Sequence, residues 1–575
     1  MTDHPRRLGV TMLAFLAMGA PSLARAQSSP ARAELLRQAQ AAITHVIFIV
    51  QENRSFDTYF GTYPGADGLN LRTCIPLDPG HPRQGCVKPF HNVLDVNSGG
   101  PHAATDAQAD LADGMTTAHM NGFVLRQTNA GKTCPDAPAF CVQASIGTAH
   151  HDVMGYHTAD EIPNYWAYAE HFVLQDALFE GVRSSSEPSH VEMTSEWVAV
   201  CTNALDASTC QTSPELSRPS PATALPWANL FQLMDLHGVS WRYYVSSGNQ
   251  PDCESGAMTC PPKHQSADMP SIWNPPGFYG SVQAQGKAYL STHNPDFTQF
   301  FSDLQGGTLP AVSWIIPDAS VSEHPPATVT EGMEHVTSLV NAVMQSPYWA
   351  NTAIFVTWDD WGGFYDHIAP PVVDTNGSAT PVQGYGIRVP GLMISAYAKP
   401  GLIDHSVLSF DSYASFIEDL FMNDARLDPA LLGIPDNRPD IRDSLTSVTF
   451  IGGKTARLGS LLNEFDFSQG AQPPFILPLD IPLQFLAVCG ASAASQLKCT
   501  SATVRLQWLA ETAAQGTPPF TYHVVRDAAQ VPVCVTTAST CTDTPGSGNH
   551  VYFAWAVDGN GVASPKTAGT EADEP

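Results

Sequence analysis

The sequence predicts an α/β protein built on a doubly wound, mostly parallel sheet, followed by a small all-β sandwich. Three observations carry this reading. Up to about residue 450, apolar runs of strand length alternate with helical segments, and that alternation implies parallel crossovers. Two runs, His45-Val-Ile-Phe-Ile-Val50 and Thr352-Ala-Ile-Phe-Val-Thr-Trp358, are apolar at nearly every position, as strands covered on both faces require. Beyond residue 485 the pattern shortens to β-rich pieces separated by turns such as Asp558-Gly-Asn-Gly561, which suits a sandwich of fibronectin type III or immunoglobulin-like kind.

Taken in order, residues 1–26 read as an export signal. Arg6-Arg7 supply the positive region, Leu8 to Ala20 the apolar stretch, and Ala24-Arg25-Ala26 a cleavage site. The paired arginines leave both the general secretory and the twin-arginine routes open. The first strand, 45–50, leads into a Gly/Pro/Asn-rich stretch at 61–113, and a second such stretch spans 245–295. Both are too long for simple connections and are expected to shape a site. A strand follows at 311–317, then an amphipathic helix at 331–344, the strand 352–358 and a strand at 389–396. A helix at 411–422 has Asp411 as its candidate cap. Proline-rich positions around Gln472, Leu477 and Ile481 close the catalytic part, taken as 40–470, and residues 485–575 form the sandwich.

The formal charge is −28, from 27 basic and 55 acidic side chains. Nucleic acid as a partner would call for a basic stripe, and anionic membranes gain no general attraction. An anionic substrate would have to be drawn by a local site. The 12 cysteines fall into neighbouring couples: 74/86, 134/141, 201/210, 253/260, 489/499 and 534/541. An even count with an export signal favours disulfides, and the lack of any C-x-x-C pair argues against zinc. No stretch after the signal is long and apolar enough to span a bilayer.

The chemistry sits at the strand ends. The first strand delivers Glu52-Asn53 and the 352–358 strand delivers Asp359-Asp360. Ligands of open α/β sheets gather at the carboxyl ends of parallel strands, and such an oxygen-rich set suits one divalent cation whose identity the set leaves open. Taken alone, each pair reads equally as a strand-end turn. Ser184-Ser185-Ser186 precede Pro188, a residue that suits the first turn of a helix. A serine there would meet an anion at the positive end of the helix dipole.

Several of these stretches, in this order, resemble the phosphoesterase family of bacterial and plant non-specific phospholipases C and related acid phosphatases. They are Glu52-Asn53-Arg54-Ser55-Phe56-Asp57, Pro101-His102, Met120-Asn-Gly-Phe123, Asp160-Glu-Ile-Pro-Asn-Tyr165, Ser322-Glu323-His324-Pro325-Pro326 and Asp359-Asp360-Trp-Gly-Gly-Phe-Tyr-Asp366-His367. The resemblance runs from about 44 to about 445 and implies an alkaline phosphatase-like sheet. It implies that Glu52, Asn53, Asp359 and Asp360 hold the cation and that a hydroxyl residue two positions before the proline, Ser186, is the nucleophile, with Ser185 as the alternative. By the same resemblance His324 binds the phosphoryl oxygens or protonates the leaving group, and His102 binds the phosphate from another side. His367 is read as orienting Asp360 or capping its turn. The expected function is an exported, metal-dependent phosphoric-ester hydrolase of phospholipase C type acting through a phosphoserine. The alternatives are an acid phosphatase on small esters and, in another class, an inactive surface-binding protein. Phe60, Tyr63, Trp273, Phe278 and Tyr279 either line a lipid groove or pack beneath the loops. The sandwich is expected to dock to a surface or glycan.

Overall fold

The computed structural model describes residues 30–479 apart from 112–118, 131–150, 217–223, 374–382 and the positions 254, 255, 258, 259, 268 and 452. Beyond 485 it describes the strands between 486 and 574 and some adjoining turns. The export signal, the couple Cys134/Cys141 and Cys499 of the couple Cys489/Cys499 lie outside what is described.

Seven strands form the main sheet: β1 (His45–Gln51), β2 (Val173–Gln175), β3 (Trp241–Val245), β4 (Val312–Ile316), β5 (Thr352–Trp358), β6 (Gly391–Ser395) and β7 (Leu402–Asp404). Their order across the sheet is β3-β4-β1-β5-β6-β2-β7. β1 is parallel to both β4 and β5, and β3 is parallel to β4. The chain leaves β4 by helix α3 (Val329–Met344), which carries it past β1 to β5. This right-sized crossover creates a crevice beyond the carboxyl end of β1, where the strand order divides.

β6 departs from the parallel pattern that alternation predicted: it runs antiparallel to both β5 and β2. Among the described residues no helix lies between β5 and β6. Without a crossover the chain re-enters the sheet from the end it left, which forces antiparallel pairing.

β1 and β5 are buried from Val46 and Thr352 onward at every position, as their unbroken apolar runs required. The Phe48 ring lies 5.6 Å from Trp314 and 5.5 Å from Phe355, both stacked, and 5.1 Å from Tyr413. Tyr413 belongs to a helix at Phe410–Phe421, so aromatic layers fasten that helix to the sheet centre. Each such buried side chain contributes roughly 1.5–3 kcal/mol. The helix begins one residue earlier than expected. Its cap is Ser409, in extended backbone, and Asp411 instead accepts from Ser409 Oγ at 3.0 Å.

The two long stretches are not structureless. The first holds a short helix at Ala104–Asp110 and the second holds helices at Gly280–Gln285 and Lys287–His293. Disulfides Cys74–Cys86, Cys201–Cys210, Cys253–Cys260 and Cys534–Cys541 follow the neighbouring-couple pattern. Phe60, Trp273, Phe278 and Tyr279 are buried in the main core, with Tyr63 packed against it, so these aromatics pack rather than line an open groove.

Beyond 485, strands Leu486–Cys489, Val504–Gln507 and Thr540–Asp543 pair antiparallel in one sheet. Cys534–Thr536, Thr521–Arg526, Gly548–Val557 and Thr570–Glu574 pair antiparallel in another. Leu506, Tyr522, Val524, Tyr552, Ala554 and Ala556 are buried together in a cluster apart from the main core.

Candidate active site

The parallel register of β1 on β5 pairs Gln51 with Trp358, so the next residues, Glu52 and Asp359, leave the sheet side by side. The pairing continues past the strands: Asp359 N–H donates to Gln51 O at 2.9 Å, and Arg54 N–H to Asp360 O at 3.1 Å. Asn53 takes the left-handed region, φ 57°, which asparagine tolerates better than most residues. Its close neighbour must be a glycine, because a Cβ on Gly362 would lie 2.5 Å from Asn53 Cβ.

Helix α2 (Ser186–Ser195) points its N-terminus at this corner. Ser186 Oγ lies 3.1 Å from Glu52 Oε2 and 3.2 Å from Asp360 Oδ2. Ser189 Oγ, on the same helix, donates to Asp359 O at 2.7 Å and ties α2 to the end of β5. Ser185 is the extended residue before the helix; Ser186 is the serine that meets both carboxylates. The helix ends at Ser195. Glu196 turns left-handed at φ 55° and ends it.

Glu52, Asn53, Asp359 and Asp360 are all at most 1% exposed. Burial, then the Asp359 and Asp360 charges, holds the Glu52 carboxyl well above its ordinary range. Burial and Asp359 do the same to Asp360, against a lowering pull from His102. The Asn53 amide oxygen sits 2.7 Å from Glu52 Oε2 and 3.1 Å from Asp360 Oδ1; with the amide turned over, its nitrogen would donate to both and its oxygen would accept from His324 Nε2 at 3.1 Å. The orientation of an amide is assigned from its surroundings. The oxygen-inward orientation puts acceptors on acceptors, an arrangement that a cation relieves.

The predicted histidines meet at a residue that the sequence did not single out. His102 Nε2 and His324 Nε2 both approach Asp252 Oδ1, at 3.2 and 3.1 Å. Their Nδ1 atoms face the carbonyls of Gly100 (2.9 Å) and Pro325 (2.6 Å), so each Nδ1 carries a proton. Burial alone would lower the His102 pKa, but the Asp252 and Asp360 charges overcome it and push it up to about 10. Asp252, despite burial, is held well below the usual carboxylate range by His102 and then His324. Asn53 Nδ2 lies 3.3 Å from His102 Nε2, so the histidine pair adjoins the carboxylate corner. Asp252 belongs to the 245–295 stretch and stands beside the Cys253–Cys260 disulfide, the one hint that its position is fixed.

Glu323 is a support for His324. Its buried carboxylate accepts from Tyr59 Oη at 2.6 Å, Trp358 Nε1 at 3.0 Å and Tyr165 Oη. Tyr165 lies on helix α1 (Pro163–His171), so this carboxylate joins α1, β5 and the loop after β4. A buried ion with several donors is retained at low cost, whereas stripping its partners is expensive.

His367 neither orients Asp360 nor caps its turn. Its Nδ1 pairs with Asp57 Oδ2 at 2.8 Å, and Arg388 links Asp57 to Asp366 from the other side. The turn after Asp360 is closed instead by Gly362 N–H donating to Asp360 Oδ1 at 2.7 Å.

His190 was also missed. It lies one helical turn after Ser186 and so shares its face, with Nε2 3.7 Å from Asp359 Oδ2 and 3.9 Å from Glu52 Oε1.

Most of the chain is similar to known proteins. The profile described as "Phosphoesterase family" matches residues 43–422. "Phospholipase C A" of Mycobacterium tuberculosis is 26% identical over 413 residues, 66% of this chain and 73% of that protein. "Non-hemolytic phospholipase C" of Burkholderia pseudomallei is 26% identical over 459 residues, 73% of this chain and 62% of its own length. "Non-specific phospholipase C6" of Arabidopsis thaliana is 22% identical over 387 residues, 64% of each chain. The chain thus spans less than two thirds of the latter two relatives.

Proposed function

Because the chain belongs to the phosphoesterase family, and is thereby a hydrolase of phosphoric esters, we propose that it acts through Ser186 as nucleophile at a divalent-cation site and opens phospholipid diesters in the manner of a phospholipase C. The observation that carries this reading is Ser186 Oγ held between Glu52 Oε2 and Asp360 Oδ2 at the start of α2.

Glu52, Asn53, Asp359 and Asp360 would hold the cation, with the Asn53 oxygen turned inward. The crowding of acceptor oxygens at that corner fits such a group. When bound, a divalent cation neutralises phosphate charge and lowers the pKa of a neighbouring hydroxyl. Ser186 Oγ then attacks phosphorus, passing its proton toward the adjacent carboxylates, and the helix N-terminus faces the phosphoryl oxygens. His102 and His324, steadied by Asp252, reach the other side of the phosphate. His102, kept protonated by its neighbours, supplies positive charge or a proton to the departing alkoxide. The serine ester formed is hydrolysed by water in a second step. Positioning and charge neutralisation do most of this work.

The names of the relatives support a lipid diester. A second reading, hydrolysis of small phosphate monoesters, is favoured by one observation: the loop aromatics that would line a lipid groove are packed in the core. Export is supported by the cleavage-site pattern at Ala24-Arg25-Ala26 and by four described disulfides; among the described residues no helix is long and apolar enough to cross a membrane. The strands beyond 485 bury a cluster apart from the main core; if they dock to a surface or glycan, deleting 485–575 should reduce surface binding and leave hydrolysis intact.

The test compares wild type, Ser186→Ala and Ser185→Ala on phosphatidylcholine and on p-nitrophenyl phosphate, with and without a chelator. Ser186→Ala should lower kcat at least about 10³-fold, Ser185→Ala should stay within about tenfold, and the chelator should silence the wild type. Full activity in Ser186→Ala would overturn the assignment of the nucleophile, and the faster substrate decides between the two readings.

A further inference from the structure

Glu52 presents its two carboxylate oxygens to different neighbours. Oε2 takes the Ser186 hydroxyl. Oε1 faces away from that contact and is buried without a hydrogen-bond partner among the described residues, as are Asp359 Oδ2 and His190 Nε2. These three atoms converge within 4.8 Å of one another.

Hydrogen bonding fixes which nitrogen of His190 is bare. Tyr243 Oη donates its only proton to Trp273 O at 3.1 Å. It must therefore accept from His190 Nδ1, 3.0 Å away. With the proton on Nδ1, Nε2 of a neutral imidazole carries a lone pair, and that lone pair is the atom nearest the two carboxylates. Trp273 stacks on the ring at 5.6 Å and 24° and holds its plane.

A lone pair and two carboxylate oxygens at 3.7 and 3.9 Å are too far apart to hydrogen-bond. They do match the spacing of ligands around a common ion: bonds of ~2.1 Å place neighbouring ligands roughly 3.4 Å or more apart at tetrahedral or wider angles. A histidine whose other nitrogen is anchored to a hydrogen-bond acceptor is the usual form of an imidazole ligand.

We propose that Glu52 Oε1, Asp359 Oδ2 and His190 Nε2 form a second cation position, adjacent to the one at Ser186 and bridged to it by the Glu52 and Asp359 carboxylates. The nitrogen donor selects a transition ion of the zinc or manganese kind over calcium or magnesium, whose sites are built from oxygen. Paired cations joined by a carboxylate are a recurrent arrangement in phosphoryl-transfer sites. The inference goes beyond the proposed function and does not require Ser186 to be the nucleophile.

The test strips the full-length protein with a chelator, titrates it with zinc and with manganese by calorimetry, and counts bound metal by mass spectrometry. Wild type should bind two equivalents. His190→Ala and His190→Gln, with circular dichroism unchanged, should keep one and lose the other, its affinity falling by at least about 100-fold. X-ray absorption of the zinc-loaded wild type should show imidazole scattering that diminishes in the variants; the wild-type count stands as a test even if a variant fails to fold. One equivalent in wild type would overturn the proposal and leave a proton shared between Glu52 and Asp359 as the resolution. Two equivalents in both wild type and variants would also overturn it, and would move the second ion to His102, Asp252 and His324. Two ions lost to one in the His190 variants, with Ser186→Ala still active, would sink the catalytic reading alone.

Discussion

Ser186 has one proton and two carboxyl groups within 3.2 Å of its oxygen, so its hydroxyl can donate to only one of them. That imbalance is what a cation corrects. The same reasoning applies to Asp252, which offers Oδ1 to two histidines at once. Asp252→Asn should leave the fold intact, lower kcat about 10–100-fold and shift the alkaline limb of the rate profile to lower pH: His102 loses its main raising partner, so its pKa falls and activity that needs His102 protonated is lost at lower pH than in wild type. Identical profiles for the two proteins would show that Asp252 does not act through His102. The residues visible in the sequence were those at the ends of obvious strands. Glu52, Asn53, Asp359 and Asp360 follow unbroken apolar runs, and Ser186 precedes a proline. Asp252 and His190 had no such frame. Asp252 lies in a stretch whose path is set by a disulfide rather than by periodicity, and His190 sits inside a helix buried along its whole length, where no contrast between faces marks a functional side.

At the scale of elements, the in-phase register of β1 on β5 brings two acidic strand ends together, and a one-residue slip would turn every side chain to the opposite face. Those strands, α3 and the Phe410–Phe421 helix were legible because each buries a continuous or periodic apolar surface. The antiparallel course of β6 was not, since a five-residue apolar run carries no direction and only the missing crossover decides it. The loop bearing Asp252 is held by Cys253–Cys260, immediately beside it. Replacing both cysteines by serine should lower kcat/KM about tenfold or more through displacement of Asp252, while the thermal midpoint changes little because the strands of the core are untouched. Unaltered kcat/KM would show that the loop keeps its path without the bridge.

The molecule as a whole buries many ionisable groups, and its stability must follow pH accordingly. His157 is 1% exposed, with Nε2 3.0 Å from Asn97 Oδ1. Burial first, then the Arg54 charge, lowers its pKa from 6.5 to about 3. Its folded value lies below its unfolded value, so the unfolded chain takes up the proton first. The contribution is present above about pH 6.5 and is lost as pH falls toward 3, at ~1.4 kcal/mol per pH unit. In urea melts, the stability lost between pH 7 and pH 5 should be smaller in His157→Gln than in wild type by about 2 kcal/mol. Equal losses would mean that His157 is not neutral in the fold. The catalytic part was legible as one α/β unit because its core is continuous from β3 to β7, whereas the short strands beyond 485 could be read only as a pattern of β pieces. The central claim concerns what the whole site does to phosphorus. Wild type mixed with a phosphodiester and quenched in acid within one turnover should carry the substrate's phosphoryl group, with the one ester substituent it retains, on the peptide containing Ser186, and only there. Absence of a phosphorylated peptide under conditions where product appears in a burst, or phosphate on another residue, would contradict the account.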